Sequence, residues 1–109
     1  MRNCWRIYLA ERASRDFFEI MAWTAANFGP RQAENYAETL TLALTALSEG
    51  PEIPEVRKRD EIGEGIRTLH VARQGRKGRH FIVFRLADNQ VIEILRLIHD
   101  SMDLPRNVP

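Results

Sequence analysis

The spacing of apolar positions changes early in the chain. Residues 4–9 are rich in aromatic and β-branched types, which predicts a short strand. Over residues 10–28 apolar side chains recur at steps of three and four, which predicts an amphipathic helix. Gly29 and Pro30 separate it from a second helix that continues to about residue 48. Two such helices joined by two residues predict an antiparallel helical hairpin.

The second half of the chain is predicted to contain three strands. Residues 49–65 hold several prolines and glycines and read as a loop. Alternating or continuous apolar runs then predict strands at 66–72, 80–86 and 90–98, with turns at 74–78 and 87–89. The last two strands are apolar on both faces, which is typical of central strands. Residues 99–109 contain two prolines and are predicted to be a tail.

The order strand, helix, helix, strand, strand, strand predicts an α+β fold. Its economical arrangement is a helical hairpin packed on one face of a small, mainly antiparallel sheet. The first strand is expected at an edge or beside a later strand, and the other face of the sheet is expected to be partly open. A length of 109 residues favours a single domain over residues 1–109.

Composition removes several classes of protein. A single cysteine, Cys4, excludes a disulfide scaffold. His70, His80 and His99 lack the spacing of metal-site motifs, so neither a metal nor a cofactor is expected. No apolar run approaches the roughly 18 residues of a membrane span, and no apolar signal segment follows the first residues. We therefore expect a cytoplasmic protein without a membrane partner.

The net charge of +1 conceals an uneven distribution. Residues 57–85 carry nine basic and three acidic side chains, a net of +6. This excess predicts a basic face that meets phosphates or an acidic protein surface. Arg67 and Arg85 stand within predicted strands, where a guanidinium can bind a carboxylate or a phosphate. A plain ion pair with Glu93 explains either arginine equally well.

Short motifs along nearly the whole chain form a recognisable series. The most specific block runs from Arg96 and His99 to Met102 and Asp103. Softer motifs that precede it are Tyr8-Leu9, Ala13, Asp16, Trp23, Phe28-Gly29, Gln32-Ala33, Tyr36, Leu47, 65–67, 80–85 and 92–95. In their order and spacing these motifs resemble the ParE branch of the ParE/RelE toxins of bacterial type II toxin–antitoxin systems. The resemblance implies the same order of helices and strands as the periodicity does.

The resemblance implies one of two cellular targets. ParE-like members poison DNA gyrase, whereas RelE-like members are metal-independent, ribosome-dependent mRNA endoribonucleases. RNA cleavage needs a proton acceptor and charge stabilisation at phosphate. Arg67 and Arg85 are candidates for the second role, and His99 or Lys58 for the first. Because no tyrosine follows His99, gyrase poisoning is the leading hypothesis and an enzyme is not expected; a diverged, non-toxic binding module stays open.

The resemblance also implies a ParD-like antitoxin whose C-terminal segment folds on the toxin, and a role in plasmid stabilisation. Trp23 and Leu42 lie off the main helix stripes, as scattered surface residues or as part of a partner-binding groove. The expected antitoxin contacts are Phe17, Trp23, Phe28, Leu42, Arg57 and Arg59. The expected target contacts are Arg67, Arg85, Arg96, His99, Met102 and Asp103. Sequence-specific DNA binding by this chain is not expected.

Overall fold

A computed structural model describes residues 4–108 of the chain. Its elements in chain order are β1 Arg6–Leu9, α1 Glu11–Phe28, α2 Pro30–Glu49, β2 Arg57–Lys58, β3 Arg67–His70, β4 His80–Ala87, β5 Val91–His99 and α3 Leu104–Asn107. The predicted α+β class and the helical hairpin are confirmed. Residues 1–3, on which the signal-segment argument drew, and residue 109 of the predicted tail lie outside the described residues.

The five strands form one sheet in the order β1-β5-β4-β3-β2. β1 runs parallel to β5 at one edge, and the other three pairings are antiparallel, so the sheet is mainly antiparallel as predicted. Val83 pairs with Arg96 and Phe84 with Ile94, which leaves Leu95 as an extra residue in a β-bulge. The bulge resets the alternation of side chains halfway along β5.

The helical hairpin covers the first face of the sheet. Gly29, with a φ of 95°, adopts a conformation that L side chains rarely take, and Pro30 opens α2 at a position that needs no N–H donor. Leu40 and Leu47 of α2 are fully buried against Phe84 and the other inward side chains of the sheet. Each such burial contributes about 1.5–3 kcal/mol relative to exposure.

The C-terminal segment covers the second face, which the sequence predicted to be partly open. Leu104 and Val108 are buried against Ile66, Val83 and Ile98. Residues 99–108 are therefore not a free tail. The prolines favoured the prediction of a tail, but the segment contains a single helical turn, α3. This turn places Leu104 and Val108, four residues apart, on the same side.

A two-residue strand lies within the predicted loop over residues 49–65. Arg57 pairs with Thr68 and Lys58 with Arg67, so β2 forms the edge of the sheet beside β3. Two charged residues carry no detectable periodicity, and for this reason the sequence predicted only a loop. The ends of the other elements agree with their predicted bounds to within two residues.

Candidate partner-binding groove

A groove of about 1170 Å³ lies between the helical hairpin, the loop at residues 71–79 and the end of β5. We call it the hairpin groove. Trp23 and Phe28 line it from α1, Tyr36 from α2, Lys77 from the loop and His99 from β5. It has an aromatic end, a buried ion pair in its lining and a polar end.

Two aromatic side chains form the aromatic end. Trp23 is 60% exposed and Phe28 is 64% exposed. Their ring centroids are 5.7 Å apart in an edge-on arrangement, so the two rings form one continuous apolar surface. Ile20 lines the groove beside them and is itself half-buried. Exposed aromatic side chains at a concave surface are typical of anchor sites for a protein partner.

An ion pair between α1 and β5 contributes to the groove lining. The Asp16 carboxylate accepts a hydrogen bond of 2.8 Å from Arg96 Nε and one of 3.0 Å from the Leu97 N–H. The side chains of Asp16 and Arg96 are only 5% and 11% exposed. Arg12 approaches the same carboxylate at 3.3 Å. Arg96, an expected target contact, is thus engaged in joining the hairpin to the sheet.

The polar end contains a tyrosine and two histidines. The backbone N–H of Arg79 donates to the Tyr36 hydroxyl at 3.0 Å, and that hydroxyl is hydrogen-bonded to His80 Nδ1 at 2.7 Å. His80 is the register partner of His99, and their ring centroids are 5.3 Å apart. Burial, assisted by the facing His99, lowers the pKa of His80 to about 4, so its ring is neutral at pH 7. Burial also raises the pKa of Tyr36.

His99 is held in one orientation by the residue two positions later. Its Nδ1 accepts the Ser101 N–H at 3.1 Å and lies 2.7 Å from Ser101 Oγ. A nitrogen that accepts a backbone N–H carries no proton, so the neutral ring has its proton on Nε2. Nε2 has no hydrogen-bond partner within residues 4–108. His99 therefore presents one available N–H donor.

A carboxylate fixes the loop to the end of β5. Asp100 accepts hydrogen bonds from Arg79 Nε at 3.0 and 3.1 Å and from His70 Nε2 at 2.9 Å. These hydrogen bonds hold the pKa of Asp100 at about 2. The Asp100 N–H also donates to the Arg79 carbonyl at 2.8 Å. The loop and the segment after β5 thus form one joined wall of the groove.

The loop is also attached to α2. Arg76 donates to Thr39 Oγ1 at 2.9 and 3.1 Å, to Glu38 at 2.9 Å and to the Asn35 carbonyl at 2.9 Å. A Cβ on Gly78 would lie 2.5 Å from Val71, so only glycine lets the loop approach this closely. These contacts keep the loop in place before any partner binds.

A sequence profile described as the ParE toxin of the type II toxin–antitoxin system parDE matches residues 7–104. The chain belongs to the ParE toxin family. Toxin ParE1 of Mycobacterium tuberculosis, from strains CDC 1551/Oshkosh and ATCC 25618/H37Rv, is 31% identical over 103 residues, which are 94% of this chain and 97% of the relative. The predicted family is therefore confirmed.

Two solved structures resemble the fold of this ParE-family toxin. The chromosomal ParDE toxin–antitoxin system of Pseudomonas aeruginosa matches with a TM-score of 0.70, covering 89% of this chain and 97% of that one. The RelBE2 toxin–antitoxin complex of M. tuberculosis matches with a TM-score of 0.56, covering 88% and 98%. Both are 20% identical to this chain, so they support the shared fold.

The residues predicted to contact an antitoxin do not form one surface in this ParE-family toxin. Trp23 and Phe28 lie in the hairpin groove, whereas Phe17 is half-buried against the core. Leu42 lines a separate cleft of about 450 Å³ beside α2. Arg57 is on the edge strand β2. Arg59, just after it, lies over the Phe81 ring at 5.9 Å and pairs with Glu61.

The four residues named for the nuclease alternative do not form one site, although Lys58 and Arg67 are neighbours on adjacent strands. Arg67 is the register partner of Phe84 and shares its face, whereas Arg85, the next residue on β4, projects to the other face. Lys58 pairs with Arg67 near one end of the sheet. His99 lies opposite His80, four residues along β4 from the Arg67 row, or about 13 Å at the usual rise per residue.

The remaining target candidates divide between the groove and its surroundings. His99, Met102 and Arg96 line the groove. Asp103 precedes α3 as its N-cap residue. Arg85 pairs with Glu93 at 2.6 Å, the ion pair that the sequence offered as a simple explanation, whereas Arg67 pairs with Glu52 at 3.1 Å.

The predicted basic face is largely neutralised by carboxylates from elsewhere in the chain. Five cations between residues 57 and 85 pair with acidic side chains outside that segment, namely Arg67 with Glu52, Arg73 with Glu55, Arg76 with Glu38, Arg79 with Asp100 and Arg85 with Glu93. Lys77 has no ion pair among residues 4–108. Charge counted along the sequence therefore overstates the charge of this surface.

Neither a metal centre nor a membrane helix is found among residues 4–108. No group of three His, Cys, Asp or Glu side chains in this part of the chain can hold a metal ion. No helix there is both long and apolar enough to cross a membrane.

Four groove residues were not among the predicted site residues, namely Tyr36, Lys77, Arg79 and His80. For His80 the sequence contained a signal. The two predicted central strands carry His80 and His99 at the ends that antiparallel pairing brings together.

Proposed function

We propose that a ParD-like antitoxin neutralises this toxin by placing an amphipathic segment in the hairpin groove. The observation that carries the proposal is the exposed pair Trp23 and Phe28 beside a groove whose walls are already fixed. An aromatic side chain can bury 150–250 Å² on binding, and such anchors often contribute about 2 kcal/mol or more to affinity. Both structural neighbours are described as toxin–antitoxin systems, which supports a partner of this class.

We further propose that the target is DNA gyrase in the bacterial cytoplasm. Membership of the ParE family supports this target over the ribosome. The separation of Arg67 and Arg85 from each other and from His99 supports it as well. RNA cleavage needs a proton acceptor beside a phosphate-binding group, and His99 has neither of these two arginines beside it.

The target is tested with purified toxin in two assays run side by side. We expect inhibition of gyrase supercoiling and no ribosome-dependent cleavage of mRNA. Cleavage that disappears in His99→Ala would reverse the assignment in favour of a nuclease. If neither activity is found and induction leaves growth unaffected, the chain is a non-toxic binding module.

The antitoxin is tested by co-expression with the product of the adjacent reading frame, followed by affinity capture. We expect a complex that suppresses toxicity and that Trp23→Ala weakens. Phe18→Ala is the matched control, because Phe18 is an equally exposed aromatic residue of α1 that does not line the groove. Failure to capture a complex, or equal weakening by both variants, would contradict docking in the groove.

A further inference from the structure

We propose that Lys77, Arg79 and His99, at the polar end of the hairpin groove, form a subsite for one carboxylate side chain of the antitoxin. The inference rests on the proposed function, since it requires the antitoxin to occupy the groove. In this arrangement an apolar side chain of the partner covers Trp23 and Phe28 while an acidic one reaches the polar end. The subsite restricts which antitoxin segments fit. A segment needs an apolar side chain and an acidic side chain separated by the distance between the aromatic end and the polar end of the groove.

Lys77 supplies the available positive charge. Its neighbours on the loop are committed, because Arg76 pairs with Glu38 and Arg79 pairs with Asp100. Lys77 is exposed and has no ion pair within the described part of the chain. The attachment of Arg76 to α2 fixes the backbone on one side of Lys77, and the close approach of Gly78 fixes it on the other. The backbone of Lys77 therefore has a defined position on the groove wall.

His99 and Arg79 supply N–H donors. The bond from the Ser101 N–H to His99 Nδ1 leaves the ring proton on Nε2, and a carboxylate accepts from such a group. Arg79 uses Nε and Nη2 on Asp100 and leaves Nη1 without a partner among residues 4–108. His80 is less suited, because burial and its bond to Tyr36 occupy it within the fold.

The charge of this end favours a single carboxylate over a nucleic acid. Asp100 balances Arg79, so Lys77 leaves a net charge close to +1. Of the two acidic residues that line the groove, Asp16 is paired with Arg96, and Glu19 belongs to α1 rather than to the loop. A strand of phosphates requires several unpaired cations along its path, whereas one carboxylate requires one. The adjoining aromatic end fits an amphipathic peptide.

A pair of charge reversals tests the subsite. Lys77→Glu and Lys58→Glu change the net charge equally, but Lys58 lies on the edge strand β2, outside the groove. We expect Lys77→Glu to raise the dissociation constant for the co-expressed antitoxin about tenfold and Lys58→Glu to change it less than about twofold. Equal effects of the two variants would overturn the proposal, because only long-range attraction would then be acting. Thermal melting of each variant verifies that it is folded.

The donor role of His99 is tested by two substitutions. His99→Phe removes the N–H and is expected to weaken antitoxin binding about tenfold or more, since one hydrogen bond to a charged group is lost. His99→Gln keeps an N–H donor and is expected to restore most of the affinity. Equal affinities of the two variants would overturn the role of His99. Replacing the contacting acidic residue of the antitoxin by its amide should abolish the difference between them.

Two further results separate this inference from the proposed function. If Trp23→Ala weakens the antitoxin complex while Lys77→Glu does not, the subsite fails and docking in the groove stands. If Trp23→Ala also has no effect, docking in the groove fails as well. Lys77→Glu that reduces binding of a single-stranded RNA oligonucleotide but not of the antitoxin would overturn the subsite in favour of a nucleic-acid site.

Discussion

The two faces of the sheet are covered in different ways. Two helices of 18 and 20 residues cover the first face and leave a groove with exposed aromatic rings and polar groups at its rim. One helical turn and parts of loops cover the second face, where Leu104 and Val108 pack on apolar side chains. The same sheet therefore has one face whose cover contributes to stability and also forms a groove, and one whose cover contributes to stability alone. This difference predicts that substitutions of groove residues weaken binding of the antitoxin, whereas substitutions on the second face change the free energy of unfolding alone.

The largest effect on folding is expected at the ion pair that joins the hairpin to β5. Asp16→Asn removes the carboxylate that the buried Arg96 side chain contacts at 2.8 Å, and we expect a loss of about 3 kcal/mol or more in the free energy of unfolding. Urea unfolding measures this change. The control is Glu93→Gln, which removes the partner of the exposed Arg85 and should cost less than about 1 kcal/mol. Similar losses for the two variants would contradict the distinction between a buried and an exposed pair.

Truncation on the second face is expected to reduce stability without changing partner binding. Leu104→Ala creates a cavity beneath α3, and we expect a loss of about 2–3 kcal/mol in the free energy of unfolding. The dissociation constant of the antitoxin should remain within about twofold of the unaltered value, measured where both proteins are folded. If Leu104→Ala weakened the complex as much as Trp23→Ala, the two faces would not be separate in function.

The pH dependence of stability is expected to report on the polar end of the groove. The unfolded His80 ring takes up a proton near pH 6.5, whereas the folded one does so only near its pKa of about 4. Stability should therefore fall as the pH decreases from 6.5 to 4 and then become independent of this group. We expect the free energy of unfolding to change by about 2 kcal/mol over this range. This is less than the full pKa shift of His80 would give, because water partly reaches the ring.

His80→Gln should flatten the stability curve between pH 6.5 and 4, as measured by urea unfolding at each pH. The decline due to Asp100 is separate: its pKa of about 2 in the folded state lies below the ordinary value of 3.8, so stability that this group provides above pH 3.8 is lost between pH 3.8 and 2. An unchanged slope above pH 4 in His80→Gln would contradict the assignment to His80.

The smallest effect is expected for the exposed arginine on the second face. Arg85→Ala removes a surface ion pair with Glu93 and should change the free energy of unfolding by less than about 1 kcal/mol. Gyrase inhibition by the same variant tests the expected role of Arg85 as a target contact. A loss of inhibition with normal folding would move the target surface to the second face.

The periodicity of the chain predicted most of the fold because long elements repeat their pattern. The stripes of α1 and α2 and the two-sided apolar runs of β4 and β5 each extend over eight or more residues. β2 and α3 span two and four residues, too few for a pattern to emerge. Pro105 lies in the first turn of α3, where proline is favoured. Proline is equally common in tails without regular structure, so its presence alone does not distinguish the two.

The candidate site was predictable only in part. Trp23 was identified because it lies off the stripe of its own helix, a property of local sequence. The cluster of Tyr36, His80 and His99 depends on strand register and on how α2 crosses the sheet, neither of which a local pattern contains. The ion pairs that neutralise Arg76 and Arg79 likewise depend on partners brought together by the fold, so charge counted along the chain could not anticipate them.

The central claim, that the antitoxin occupies the hairpin groove, is tested most directly by the fluorescence of Trp23. The chain has two tryptophans, Trp5 and Trp23, and Trp5 packs against the core. The substitution Trp5→Phe therefore leaves Trp23 as the only tryptophan of the chain. We predict that adding antitoxin shifts the emission of Trp23 to shorter wavelength and that the shift saturates as the complex forms, because the indole leaves water. A complex that forms with no change in this emission would contradict the account.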